Sequence, residues 1–389
     1  MSTRRISFAV AAAGLCTFLN LYTPQAILPS LAAEFQVPLP RTGLAVTASL
    51  LAVALVAPFA GAVSDRFGRK RLIVAACGLV IIPTIMVAFS TSLESLLFWR
   101  FAQGLLLPFI FAVTVAYIGE ELEGPAAIKA AGLYSSGAIL GGVSGRLVAG
   151  VAADWGGGWR SGFLATAVLT ALGGLFVALT LPKETRFRAA RAGLAATLRD
   201  WRSHALNPLL LGTCAVGFGM LFSIVATFTF VNFYVAAPPF NLSAGALASV
   251  FAVYLVGVVT TPLATRAAVK LGRARTAVLS ALIAITGELL TLVPSLPFVV
   301  VGLTLASAGL FVAQSLGLGF IGVAVKRARS TAVGLYVSTY YIGGALGAVL
   351  PAGLWHRFGW PGCVGLTCTV IALMGIAAGL TFRSRPASA

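Results

Sequence analysis

Polar and apolar positions fall along this chain in long blocks, not in short periods. Residues 44–60 and 72–89 are apolar runs, each long enough to cross a bilayer. Between them, residues 61–71 read Gly-Ala-Val-Ser-Asp-Arg-Phe-Gly-Arg-Lys-Arg, with charges at Asp65, Arg66, Arg69, Lys70 and Arg71. A block this short is a turn between two membrane helices. Gly68 permits the backbone reversal, and Gly61 permits close packing of the helix before it. The same reading along the chain places twelve membrane helices, at 6–31, 41–63, 72–91, 93–119, 127–152, 160–181, 207–236, 244–266, 273–293, 296–325, 330–354 and 361–382. The expected fold class is an all-α membrane protein.

Composition agrees. The 389 residues are 59% hydrophobic and 10% charged, which no soluble domain of this size matches. The net charge of +17 would suit a nucleic-acid binder, but the basic residues lie in short clusters between apolar runs, which is a topology signal. Arg4 and Arg5, the 66–71 cluster, Lys129, the 183–202 segment, the 266–275 cluster, residues 326–329, Arg383 and Arg385 sort to one face. Arg41, Arg160 and Arg357 sort to the other. This bias predicts a multi-pass protein of the cytoplasmic (inner) membrane with both termini in the cytoplasm. The apolar run after Arg5 extends to Leu31, too long for a signal core, and reads as an uncleaved first helix. Cys16, Cys77, Cys214, Cys363 and Cys368 form no CxxC pair, and His204 and His356 lie far apart, so no disulfide framework, metal site or cofactor is expected. No ATP-binding Gly-rich loop occurs. Gly317, Gly319 and Gly322 fit G-x-G-x-x-G but sit inside a membrane helix and follow no strand.

The halves repeat. Residues 17–22 read TFLNLY and residues 229–234 TFVNFY; residues 132–145 read GLYSSGAILGGVSG and residues 334–347 GLYVSTYYIGGALG. Six helices separate the copies, so the repeats are parallel, related by an axis along the membrane normal. The expected organisation is a six-helix bundle over 1–181, a basic cytoplasmic linker over 182–206 with a short amphipathic helix near 194–201, and a second six-helix bundle over 207–389.

The turn at Gly61, Asp65, Arg66, Gly68, Arg69, Lys70 and Arg71 resembles the signature between the second and third helices of the major facilitator superfamily, matching every specified position. The resemblance spans nearly the whole chain and implies two bundles around a central cavity, alternating between inward- and outward-open states. It implies that Asp65 reaches the N-terminus of the eleventh helix near Ser330 as a conformational latch, and that Arg69 pairs with an acid at the end of the fourth helix, Glu120 or Glu121. Arg100, with Gln103 and Gly104, resembles a second motif whose arginine is linked to proton coupling. Gly137, Gly141, Gly142 and Gly145 partly match the antiporter motif, with alanine where proline is expected, and also form a small-residue face for helix packing.

Two further charges fall inside helices. Arg146 follows Gly145 toward the outer end of the fifth helix, and Glu288 is a carboxylate within a predicted span, near the outer end of the ninth. Both are candidate coupling groups, with snorkelling to the interface as the alternative. The helices that line the family's cavity supply Asn20, Tyr22, Gln25, Gln103, Asn232, Tyr234, Tyr336 and Tyr340 as candidate substrate contacts, uncharged groups suited to polar or amphipathic compounds. The resemblance implies a monomeric secondary transporter, not an enzyme, exchanging protons for a small molecule leaving the cell. A symporter or facilitator importing a metabolite, and a membrane receptor that moves nothing, stay open as alternatives.

Overall fold

The computed structural model describes residues 3–185, 204, 206–325 and 329–383. Most of the expected linker, including the amphipathic stretch 194–201, and the basic residues 326–328 lie outside the described residues. Among the described residues there is no strand, and nine helices are long and apolar enough to cross a membrane. One of the nine, Gly124–Thr180, turns at Gly156 and Gly158, whose φ values are 92° and 59°, and so makes two spans. Arg273–Leu290 and Arg329–Gly347 complete twelve. In chain order these are α1 (Thr3–Phe35), α2 (Leu39–Phe67), α3 (Arg69–Ala88), α4 (Leu93–Glu121), α5 (Gly124–Ala152) and α6 (Gly158–Thr180). They continue as α7 (Pro208–Ala236), α8 (Ala244–Leu271), α9 (Arg273–Leu290), α10 (Leu296–Ala324), α11 (Arg329–Gly347) and α12 (Ala352–Thr381).

Helices run a few residues past the apolar runs, because charged residues at an interface continue a helix without entering the hydrocarbon. Several spans bend where proline removes a backbone donor. Pro24 lies in a 3₁₀ turn, Thr23–Ile27, within α1; Pro108 restarts α4 after Leu107. α12 turns at Gly359, whose φ of 61° matches the 59° of Gly158, and each glycine precedes a tryptophan, Trp360 and Trp159. Gly68 and Gly272, at φ 90° and 84°, match in the same way before α3 and α9.

The helices cluster into two compact units. The first holds α1–α6 together with the segment Val235–Phe251; the second holds α7 up to Tyr234 and the chain from Ala252 onward. In the first unit α5 lies directly on α1. A Cβ added at Gly137, Gly141 or Gly145 would collide with the backbone carbonyls of Ala11, Leu15 and Leu19 respectively. In the second unit Gly343 and Gly347 of α11 press in the same way on the carbonyls of Phe218 and Phe222 of α7. Small residues thus let backbones touch where hydrophobic burial gives helices in lipid no reason to associate.

This packing corrects the repeat register in α7. Gly141 and Gly343 are partners in the repeat, so Leu15 corresponds to Phe218 and Asn20 to Ser223. The matched strings TFLNLY and TFVNFY are therefore not structurally equivalent, and Asn232 lies more than two turns beyond Asn20's counterpart. Gly61 also differs from expectation: nothing described lies within 4 Å of where its Cβ would stand.

Candidate functional site

Pro24 cannot donate to the carbonyl of Asn20, and this gap in α1 organises the buried polar centre of the first unit. Arg100 of α4 fills it. Its guanidinium donates to Asn20 O (2.9 Å), Leu21 O (2.7 Å) and Ala45 O (3.0 Å), and to Gln103 Oε1. Ser49 of α2 ties down the Arg100 carbonyl at 2.8 Å. Arg100 is fully buried and does not snorkel. An arginine at this depth is tolerated because carbonyl dipoles surround it. Asn20 and Gln103, expected as substrate contacts, are committed to the same network. Asn20 donates to Cys16 O (2.8 Å) and Thr170 Oγ1 (2.7 Å) and accepts from Thr84 Oγ1 and Gln103 Nε2, each at 2.8 Å. Thr84 and Thr170, which sequence reasoning passed over, link α3 and α6 to this centre. Single threonines in apolar helices carry no signal of their own.

Arg146 is also buried. It donates to Gln25 Oε1 from Nε (2.9 Å) and Nη2 (2.5 Å), and to Gly142 O at 2.6 Å. Its guanidinium lies 4.4 Å from the ring centre of Tyr22 and 4.4 Å from that of Phe251, a cation held against two aromatic faces. A Cβ at Gly142 would stand 3.4 Å from Arg146 Nη1, so the glycine leaves room for this guanidinium. Gln25 and Tyr22 therefore serve Arg146. Phe251 was unforeseen, because nothing in an apolar helix marks one phenylalanine among many.

In the second unit the polar centre carries the opposite charge. Glu288 is fully buried, not interfacial. It accepts from Thr227 Oγ1 of α7 at 2.5 Å and from Thr367 Oγ1 of α12 at 3.3 Å. Trp360 closes the near end by donating to Thr291 Oγ1 at 3.1 Å. The burial of Glu288 follows in part from this tryptophan and the turn after α9, which close over the end of the helix. Asn232 is buried and donates to Phe228 O of its own helix at 2.8 Å. Tyr234, half-buried, stacks on Trp360 at 5.6 Å. Tyr336 is buried and lies against Tyr340 at 6.1 Å. Tyr340 is half-buried, and its hydroxyl accepts from Gln314 of α10 at 3.0 Å. Tyr234, Tyr340 and Gln314 are thus polar groups of this unit that are only half-buried. Gln314 was missed, although a lone amide in an apolar helix is a legible signal.

The α2–α3 turn forms a third cluster. Arg69 is 6% exposed. It bonds Glu120 through Nε (3.0 Å) and Nη2 (2.5 Å), reaches Asp65 Oδ1 at 2.5 Å, and also donates to Ser64 Oγ. This forked geometry is what a planar guanidinium offers carboxylates. Glu121 turns away and accepts from Thr185 N and Oγ1, each at 2.8 Å. Glu184 accepts from Lys70 N at 3.3 Å, at the start of α3, and a Cβ on Gly68 would stand 2.5 Å from its carboxylate. The first residues of the expected linker, 182–185, therefore fold back onto α3 and α4. Arg66 is exposed beside Phe67. Among the described residues no group of histidine, cysteine and carboxylate side chains could hold a metal.

Two repeated bundles of apolar helices, each with a small buried polar centre, are the architecture of a membrane transporter. A family model, the Major Facilitator Superfamily, matches residues 10–257 and 220–389. The chain belongs to that superfamily and is a transporter, not an enzyme. It is 31% identical over 381 residues to the inner membrane transport protein YnfM of Escherichia coli, covering 98% of this chain and 91% of that protein. It is 28% identical over 190 residues to the multidrug transporter MdfA of Yersinia pestis, covering 49% of this chain and 46% of that protein. Its fold is similar to the nucleoside transporter NupG, with TM-score 0.77 at 15% identity, covering 97% of this chain and all of that one.

Proposed function

We propose that this transporter works by alternating access and expels a small polar or amphipathic compound in exchange for protons, as a monomer with both termini in the cytoplasm. Glu288 carries the proposal. It is the one carboxylate buried within a described span, and its described partners are hydroxyls. A carboxylate held this way can take up a proton when its side of the cycle is open and release it on the other. Arginine does not titrate in this range, so Arg100 and Arg146 shape the pathway while Glu288 binds the proton. The efflux direction is supported by the partial antiporter glycine motif of α5 and by the likeness over half the chain to a multidrug transporter. The basic residues clustered at one face support the orientation. Tyr234, Tyr340 and Gln314 would meet the substrate, offering aromatic faces with uncharged hydrogen-bonding groups.

The test uses proteoliposomes and a compound panel screened by counterflow. For any compound exchanged, an imposed proton gradient should drive accumulation in the wild type. Glu288→Gln should retain counterflow and lose gradient-driven accumulation. A Gln variant that still follows the gradient would remove Glu288 from this role. Transport that ignores gradients in both directions would replace exchange by facilitated diffusion.

A further inference from the structure

α8 is one helix in sequence but two bodies in packing. The boundary between the compact units crosses it after Phe251, where the helix tightens into a 3₁₀ turn, Phe251–Leu255. A 3₁₀ stretch within a long helix has poorer hydrogen-bond geometry and is a natural hinge. The part before it belongs to the first unit, although its sequence belongs to the second repeat.

Three residues near the end of α5 hold that part, one on each successive turn. Arg146 lies against Phe251 at 4.4 Å. At Gly150, a Cβ would collide with Ala244 O and stand 2.7 Å from Ala248 Cβ, so the two backbones touch. Asp154 follows in the wide turn Ala153–Gly157. Its Oδ2 accepts from Ser243 Oγ at 2.7 Å and from Gly245 N at 2.8 Å. Ser243 in turn accepts from Ala246 N at 3.4 Å. Two polar groups at the start of α8 thus end on one carboxylate, and its charge opposes the positive end of the helix dipole.

We infer that Asp154, Gly150 and Arg146 form a latch on the first two turns of α8, and that Phe251–Leu255 is the hinge about which the rest of α8 moves. The inference rests on the proposed alternating cycle. α5 starts at Gly124, three residues after the Glu121 end of α4, so Asp154 stands at the far end of the membrane span from the Asp65–Arg69–Glu120 cluster. One acidic device then serves each face. The backbone contact at Gly150 cannot stretch gradually, because a gap of even an ångström forfeits much of the contact energy, so the seat opens as a whole. The repeat places Trp355 where the first half has Asp154, counting from the matched Gly158-Trp159 and Gly359-Trp360 pairs. The latch therefore acts from one side only.

The test uses the full chain in lipid nanodiscs with spin labels at the exposed positions Val151 and Ser249. The wild type should give one dominant short distance. Asp154→Asn keeps the size of the side chain and removes its charge; it should raise the separated population about two- to fivefold, the ratio carried by one favourable exposed charge at a helix end. Ser243→Ala keeps the Gly245 contact and should shift the population less. Asp154→Glu should move it back toward the wild type. Amide exchange over residues 243–250 should quicken in the same order. An unchanged distance distribution in Asp154→Asn, with Asp65→Asn shifting labels at the opposite face, would overturn the latch and leave alternating access standing. A single distance in every variant, Asp65→Asn included, would overturn both.

Discussion

Replacing Arg100 by alanine tests whether this arginine is a brace or a coupling group. The substitution removes every donor that now serves Asn20 O, Leu21 O, Ala45 O and Gln103 Oε1. Ala45 lies within a regular helix, so its carbonyl keeps an intrahelical bond, and Gln103 keeps the bonds its Nε2 donates to Asn20 and Thr84 while its Oε1 loses the Arg100 donor. Asn20 O is in the worst position, because Pro24 has no N–H to return to it. Each buried acceptor left without a donor costs roughly 1–3 kcal/mol, and breaking a buried charged network about 3–5 kcal/mol. A working figure of about 3 kcal/mol lowers the folded-to-unfolded ratio roughly a hundredfold. The assay is the fraction of monodisperse protein after a temperature series in detergent, read by size-exclusion chromatography. Arg100→Ala should melt well below the wild type. Arg100→Lys should recover part of the loss, since one ammonium cannot span carbonyls on α1 and α2 together. Adding Pro24→Ala to Arg100→Ala should restore some stability by giving Asn20 O a helical donor. An alanine variant that melts with the wild type yet no longer responds to a proton gradient would refute the brace and make Arg100 a coupling residue.

Gly141→Leu should push α5 off the Leu15 carbonyl of α1; overpacking of this kind costs about 1–3 kcal/mol or more, and monodisperse yield should fall, with Gly141→Ala intermediate. Asp65→Asn removes a carboxylate bonded to Arg69 at 2.5 Å, which the resemblance of its turn to the superfamily signature implies would meet the N-terminus of α11 when the cytoplasmic side closes. That contact is worth on the order of 1–2 kcal/mol, so transport should slow and cytoplasmic-face label distances should lengthen while the protein stays folded.

The spans could be read from the sequence because each depends on a local quantity. About twenty apolar residues cross a bilayer whatever their neighbours are, and a charge cluster ends a span wherever it stands. The acidic end of α4 was also legible as Arg69's side of the membrane, because the chain has only ten acidic residues and each could be weighed singly. What sequence could not supply was depth and register. Asn20 and Asn232 match as letters, but the Gly141–Leu15 and Gly343–Phe218 contacts pair Asn20 with Ser223, since helix packing is decided by which backbones can touch. Glu288 reads as near a helix end, yet the Trp360–Thr291 contact caps that end and leaves the carboxylate fully buried. Asn20, Gln25 and Gln103 have the chemistry of a substrate pocket, and only tertiary structure shows two buried arginines already using them. Asp154 lies in an unremarkable glycine-rich turn, and its role appears only where the fold brings the start of α8 to it. Propensity and hydropathy act over a turn or two of helix, whereas the buried polar groups find partners from 51 to 150 residues away along the chain, which no local pattern records.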